Sequence, residues 1–196
     1  MIVLSIFAIL WCCAYGYTLT QPGFESKWIH LSYQKMYSGE IWRMFTASFF
    51  HIDVVHLLYD LIILFSLSTM ENNKGSIFFI GLCFQILVIT TTLQVTVYHI
   101  LIKGLHRTTL TQNWTCSMGF SSVLIGLLTA QSFYANTIVF ILFPGLPINS
   151  VNAPVLAYFL GSFLLTEASV LGHFCACFSG WLLGIGGLHW MNAYWL

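Results

Sequence analysis

The chain has 196 residues, with six Lys or Arg, six Asp or Glu and a formal net charge of zero. Charged residues make up 6% and apolar residues 58%, with mean hydropathy +0.85, whereas soluble domains carry roughly 25% charged residues. That balance excludes a soluble enzyme, a disordered chain and, with too few cations to build a basic patch, a nucleic-acid binder; it leaves an all-α membrane protein that crosses the bilayer several times.

The first apolar run, residues 2–17, is about long enough for a short span. No positive n-region precedes it, so it reads as a first transmembrane helix and not as a signal peptide. Residues 18–47 form a long polar-aromatic loop carrying Glu25, Lys27, Lys35, Glu40 and Arg43, with Trp28, Tyr33, Tyr37 and Trp42 suited to the lipid interface. The second span, 52–70, ends at the turn-forming cluster Glu71-Asn72-Asn73-Lys74-Gly75. The third span, 76–102, leads into a polar loop over 103–115, and the fourth covers 117–133. Residues 137–143 are too short a run to cross, and they meet Pro144-Gly145-Leu146-Pro147, which blocks a continuing helix. The fifth span, 148–165, tolerates Pro154 near its start. The sixth, 170–190, closes on Trp190, Tyr194 and Trp195 at an interface. The pattern predicts six helices in a single domain over 1–196, without internal repeats. The cysteines at 12, 13, 83, 116, 175 and 177 show neither zinc spacing nor a secreted disulfide framework, and they read as small apolar packing residues.

An ionisable side chain in a span costs about 2.5–3.5 kcal/mol on insertion scales, so each one needs a reason. His56 and Asp60 lie on the second span, with His51 at its start, and His56 and Asp60, four apart, share a face. Ser121 lies a few residues into the fourth span and His173 a few residues into the sixth. Spans two, four and six all start on the same side of the membrane. At 1.5 Å per residue their polar groups therefore lie roughly 5–15 Å below that surface, in one leaflet. Small residues recur every fourth position on span four (Ser122, Gly126, Ala130) and on span six (Ala176, Gly180, Gly184), and such ridges let helices approach closely. Pairing those ridges brings Ser121 toward His173.

A serine beside a histidine is a nucleophile with its general base: the imidazole takes the hydroxyl proton during attack and returns it to the leaving amine. Gly119 leaves room for a substrate backbone, the start of the fourth helix offers free backbone N–H groups as an oxyanion site, and His56 adds a side-chain donor. Taken singly, each residue has a plainer role: serine as a back-bonded packing residue, histidine as a paired structural group.

The combination resembles the rhomboid family of intramembrane serine proteases, from about Trp42 to Gly184. Trp42-Arg43 is similar to the family's Trp-Arg pair in the first loop, and His51 to Asp60 to its His-x4-His-x3-Asn segment. Glu71 with Lys74-Gly75 resembles the acidic-to-glycine turn after helix two, Gly119-Phe120-Ser121-Ser122 the Gly-x-Ser-Gly nucleophile motif, and His173 with Gly180 and Gly184 the histidine-glycine ridge. The six-helix form, with Phe143 to Pro147 before helix five, looks closest to endoplasmic-reticulum-type eukaryotic rhomboids. The resemblance implies a Ser121–His173 dyad without an acidic third member and without cofactor or metal. It also implies transmembrane protein substrates cut near the membrane boundary, with Tyr59 at a position facing the substrate's gate.

Four positions depart from the family pattern. Asp60 stands where the family has Asn, whose amide donates to the oxyanion; an ionised carboxyl there would repel that charge, whereas a protonated one would donate, and burial favours the neutral form. Ser122 replaces the second Gly of the nucleophile motif, Ala176 replaces the first Gly of the helix-six ridge, and Ile125 stands where an aromatic ring usually packs on the catalytic histidine. Two other readings stay open. One is a weak or inactive rhomboid-like protein that binds membrane clients in quality control or trafficking. The other is an intramembrane metal hydrolase or carrier using His51, His56, Asp60 and His173, whose ligand types suit zinc but which leaves Gly119-Phe120-Ser121 unexplained. Orientation pulls two ways. Lys27, Lys35, Arg43, Lys103 and Arg107 in loops one and three, against Lys74 in loop two, would place the odd loops in the cytosol; the resemblance, and weakly the sequon Asn113-Trp114-Thr115, would place them in the lumen of the endoplasmic reticulum or another secretory-pathway membrane. If Asp60 has the role of the family's Asn, Asp60→Asn retains or raises cleavage of a single-span substrate, and total loss in that assay would contradict the role.

Overall fold

A computed structural model describes residues 2–21, 29–51, 53–104, 119–133, 138–140, 147–149, 151–164 and 170–187. Trp28, Lys27, Arg107, the sequon at 113–115, Cys116, residues 144–146 and the aromatic cluster Trp190, Tyr194 and Trp195 lie outside them.

Helix α1 (Ile2–Thr20) buries Val3, Leu4, Trp11 and Thr18, a stripe recurring at seven-residue spacing along one face. The first loop, expected to be irregular, contains two short helices, α2 (Tyr33–Tyr37) and α3 (Arg43–Phe49). They wrap a buried cation. Arg43 is 1% exposed; its Nε donates to Glu40 Oε2 at 2.6 Å and its Nη1 to the His30 carbonyl at 3.0 Å. Pairing is what makes a guanidinium tolerable there. The hydrogen bond from Arg43 in turn holds the Glu40 carboxyl below the usual carboxylate range. The Tyr33 hydroxyl meets His99 Nδ1 at 2.8 Å, and the Tyr37 ring stacks on the same imidazole, which pins α2 to the end of the third long helix.

Helices α4 (Val54–Ser66) and α5 (Ser68–Lys74) together form one apolar stretch of 21 residues, Val54–Lys74. The expected turn cluster is therefore mostly helical. Only Gly75 turns, at φ +86°, a conformation open to glycine without steric cost, and its N–H donates to the Glu71 carbonyl at 2.8 Å. Glu71, 2% exposed, turns inward. It accepts the backbone N–H groups of Val3 (2.9 Å) and Leu4 (3.3 Å) and the Ser76 hydroxyl (2.6 Å). A carboxylate thus meets amides that the first turn of α1 cannot satisfy within its own helix.

Helix α6 (Ser76–His99), extended by a π-helical turn over Ile100–Gly104, buries paired positions every fourth residue, Phe78/Phe79, Leu82/Cys83, Ile86/Leu87 and Thr90/Thr91. Helix α7 (Ser121–Ser132) is buried almost all round and is the axis of the bundle. It starts at Ser121, four residues later than expected, because Gly119 at φ +100° cannot belong to a right-handed helix. A short antiparallel ribbon follows, β1 (Ile138–Phe140) with β2 (Pro147–Asn149), in the register Val139 opposite Ile148. Helix α8 (Ala153–Leu164) begins five residues later than expected. Pro154 fits only the first turn, where its missing N–H is not needed, and a turn at Asn149 precedes it, with Asn149 accepting from Val151 and Asn152. Helix α9 (Val170–Leu182) ends in a second π-helical turn, Leu183–Gly187.

Among the described residues, Ile2–Thr20, Val54–Lys74 and Ser76–Gly104 are long and apolar enough to cross a membrane; Ser121–Ser132, Ala153–Ser162 and Val170–Ile185 are apolar but shorter. The molecule is a helical membrane bundle centred on α7. Helix α9 lies against α7 with almost no side chain between the backbones. A Cβ on Gly126 would sit 3.1 Å from the Ala176 carbonyl, and one on Gly180 would run into the Gly126 carbonyl and come within 2.8 Å of Thr129 Cβ. Thr90 of α6 donates to Ser179 of α9 at 3.0 Å, and Ser179 donates on to the Cys175 carbonyl at 2.7 Å. Gly180→Ala is expected to cost about 1–3 kcal/mol through overpacking and to lower the unfolding temperature in detergent. Gly16→Ala, whose added Cβ would have nothing within 4 Å, carries the same intrinsic helix gain without the overpacking and serves as the control.

Candidate active site

Three helix starts converge on the site. At the head of α4, Asp53 is the N-cap, and its carboxylate accepts the His56 N–H at 2.8 Å. This fixes His56 in the first turn, and Asp60 lies one turn deeper on the same face. At the head of α7, the bend Gly119-Phe120 is held by two backbone donors: the Gly119 N–H to the Ala47 carbonyl of α3 and the Phe120 N–H to Asp60 Oδ2, both at 2.9 Å. Ser121 is consequently the first helical residue. His173 is the fourth residue of α9. His51, His56 and Asp60 are 0% exposed, His173 is 1% and Ser121 is 3%.

The Ser121 hydroxyl sits between two imidazoles, with His173 Nε2 at 3.1 Å and His56 Nε2 at 3.2 Å. The hydroxyl has one proton, so it donates to one ring and accepts from the other. His173 Nδ1 has no hydrogen-bond partner among the described residues. Gly119 makes the arrangement possible: a Cβ there would stand 2.5 Å from His56 Nε2, at a φ that L side chains rarely adopt.

Asp60 Oδ2 is engaged as an acceptor, from the Phe120 N–H and from His51 Nε2 at 2.9 Å, with His56 Nε2 farther off at 3.9 Å. Beside its expected place near an oxyanion site, Asp60 holds the turn that precedes Ser121. Trp11 of α1 tilts over the His51 ring at 5.4 Å and over Phe120 at 5.1 Å. Ser122 lines a cavity of about 20 Å³ between α3 and α6, together with Ala47, Thr90, Thr91 and Gln94. Of the residues considered for a metal set, His51 Nε2 is engaged with Asp60 Oδ2, and His56 Nε2 and His173 Nε2 with Ser121, while their Nδ1 atoms and Asp60 Oδ1 have no hydrogen-bond partner among the described residues. Among the described residues no three His, Cys, Asp or Glu side chains converge as ligands.

Helix α8 covers the site. The Tyr59 hydroxyl donates to the Ala157 carbonyl at 2.7 Å. A Cβ on Gly161 would stand 3.0 Å from His173 Cε1, 3.3 Å from Nδ1 and 3.4 Å from the Tyr59 hydroxyl. Where the family pattern has an aromatic ring on the histidine, Ile125 is buried and backbone of α8 lies against the imidazole. The sequence reasoning placed Ser121, His173, His56, Asp60, Gly119 and Tyr59 in one region, and the fold brings all six together. It missed Ala157 and Gly161, although Ala153, Ala157 and Gly161 repeat small residues every fourth position. It also missed the Phe120 amide, which has no side-chain signature.

A bundle of apolar helices that buries a serine between two histidines at a helix start defines a polytopic membrane protein with a polar site inside the bundle. A rhomboid domain model matches residues 38–190, and the chain belongs to the rhomboid family. It is similar to Rhomboid-like protein 15 of Arabidopsis thaliana, 24% identical over 155 residues, which is 75% of this chain; the chain spans only 37% of that relative's length. Tyr59→Phe removes the hydroxyl that, among the described residues, links α4 to α8. It is expected to cost about 1 kcal/mol and to speed hydrogen–deuterium exchange of α8 amides; unchanged exchange would show that the bond does not hold the helix.

Proposed function

We propose that this rhomboid is an intramembrane serine endopeptidase that cleaves transmembrane substrates near the membrane boundary, with Ser121 as nucleophile and His173 as general base. The observation that carries the reading is the 3.1 Å contact between Ser121 Oγ and His173 Nε2 at a buried helix start. With His173 unprotonated at Nε2, the Ser121 hydroxyl donates to it. His56 must then present Nε2–H to the serine oxygen and is already aimed at the place where negative charge develops. Ser121 Oγ attacks the scissile carbonyl while His173 takes its proton. Collapse of the tetrahedral intermediate expels the amine, which receives that proton. A water then attacks the acyl-serine, giving up a proton to His173 and freeing the acid and the hydroxyl. His56 Nε2–H and the first-turn amides of α7 serve as oxyanion donors, and Gly119 keeps that approach open. Tyr59 and α8 stand at the substrate's gate. Residence in the endoplasmic reticulum or another secretory-pathway membrane rests on the resemblance alone.

One observation favours the second reading, an inactive client-binding rhomboid: Asp60 presents an acceptor where the family's Asn amide would donate. Co-expression with a panel of tagged single-span substrates separates the two. Cleavage is expected with the wild-type chain and should fall to background in both Ser121→Ala and His173→Ala. Cleavage that survives either substitution would overturn the dyad. Cleavage stopped by chelators but not by serine-directed inhibitors would favour a metal. No cleavage with clients co-purifying would favour the binding role.

A further inference from the structure

Asp60 Oδ2 stands at the centre of a three-way competition. Two donors reach it at 2.9 Å, the Phe120 amide and His51 Nε2, and a third, His56 Nε2, waits at 3.9 Å while contacting Ser121 at 3.2 Å. With Asp60 ionised, Oδ2 only accepts, and His51 then carries its proton on Nε2. If His51 were absent, Oδ2 would keep the Phe120 amide and have an unfilled lone pair within an ångström or so of a hydrogen-bonding distance to His56. Asp60 Oδ1 has no hydrogen-bond partner among the described residues, so Oδ2 carries the carboxylate's contacts; an Oδ2 lone pair left unfilled in this dry interior captures the donor nearest to it, because leaving it unpaired costs more than a neutral bond elsewhere. The captured donor would be the N–H that faces Ser121. The His51 ring is held for its task by the Trp11 face on one side and by an edge-on contact with His56 on the other, with centroids 5.4 and 5.3 Å away.

We propose that His51 is a positioning residue of the site, which saturates Asp60 Oδ2 and so keeps His56 Nε2–H on Ser121. The role follows from the carboxylate at position 60. With an amide there, the oxygen is less avid and the second atom is itself a donor, so His51 becomes nearly dispensable. This inference rests on the protease reading.

The test uses the full-length chain in detergent or vesicles with a cleavable single-span substrate, alongside Ser121 labelling by a fluorophosphonate. His51→Leu should lower kcat by about 10- to 100-fold, up to the range seen when an oxyanion donor is lost, with KM within about twofold. His51→Gln, whose amide nitrogen reaches about as far as imidazole Nε2 and donates, should keep most of kcat. His51→Leu/Asp60→Asn should regain at least about tenfold over His51→Leu. A purely structural role for His51 would lower the unfolding temperature and would not be relieved by changing residue 60. The proposal is overturned if folded His51→Leu keeps wild-type kcat, if the double variant stays as slow as His51→Leu, or if folded His51→Gln is as impaired as His51→Leu. If His51→Leu does not fold, the Gln variant alone decides. A wild-type chain that neither cleaves nor labels brings down the protease reading and this inference with it; an active wild type with any of the contrary variant results brings down this inference alone.

Discussion

The backbone contact between α7 and α9 at Gly126 and Gly180 fixes everything else in the bundle. Lipid gives helices little hydrophobic reason to associate, so a bundle holds where backbones come close enough for dense packing. The Gly126–Gly180 approach also sets a register. Ser121 lies five residues before Gly126 and His173 seven before Gly180, on helices that start at the same side, so at 1.5 Å per residue both side chains reach nearly the same depth. Gly184, whose added Cβ would strike the Phe133 ring, keeps the two helices close at their far ends. Thr90 and Ser179 then hold α6 against the pair.

The juxtaposition of Ser121 and His173 was legible in the sequence because it depends on features that sequence carries: span parity, depth and small-residue spacing. What could not be read depended on backbone conformation or on partners far along the chain. Gly119 could be seen as small, but not as a residue at φ +100° that starts α7 at Ser121. Asp60 could be seen as the one acid deep in a span, but its acceptor role is set by the Phe120 amide, which any residue would supply. The short helices α2 and α3 are held by contacts that the loop's composition does not announce: Arg43 with Glu40, three residues away, and with the His30 carbonyl, and Tyr33 with His99, 66 residues on.

Asp60 and Glu71 solve the same problem toward opposite ends of the α4–α5 stretch. Each is a carboxylate that reaches across to backbone N–H groups near the start of another helix, Phe120 before α7 for Asp60 and Val3 and Leu4 of α1 for Glu71. In a medium without water a helix start must find acceptors within the protein, and a carboxylate suits the positive end of the helix dipole. The scarce acids of this chain are thus spent on fastening helices as much as on chemistry. Helix α1, although it lies outside the matched rhomboid domain, is fastened to it through these Glu71 bonds.

Helix α8 is held over Ser121 and His173 by a flat face, Ala153, Ala157 and Gly161, and, among the described residues, by the hydroxyl–carbonyl bond from Tyr59. Such a face gives close contact with little interlocking, while Leu156 and Leu160 beside it pack against the core, so lifting the helix means giving up those contacts and that bond. The consequence is a population effect. If the closed arrangement is favoured by about 2.7 kcal/mol, only about 1% of molecules are open at any moment. On the protease reading, a substrate then binds with an apparent affinity weakened by that same fraction, whatever the perfection of the site beneath. Selectivity among membrane segments would be decided first by which of them can hold α8 away, before any peptide bond meets Ser121.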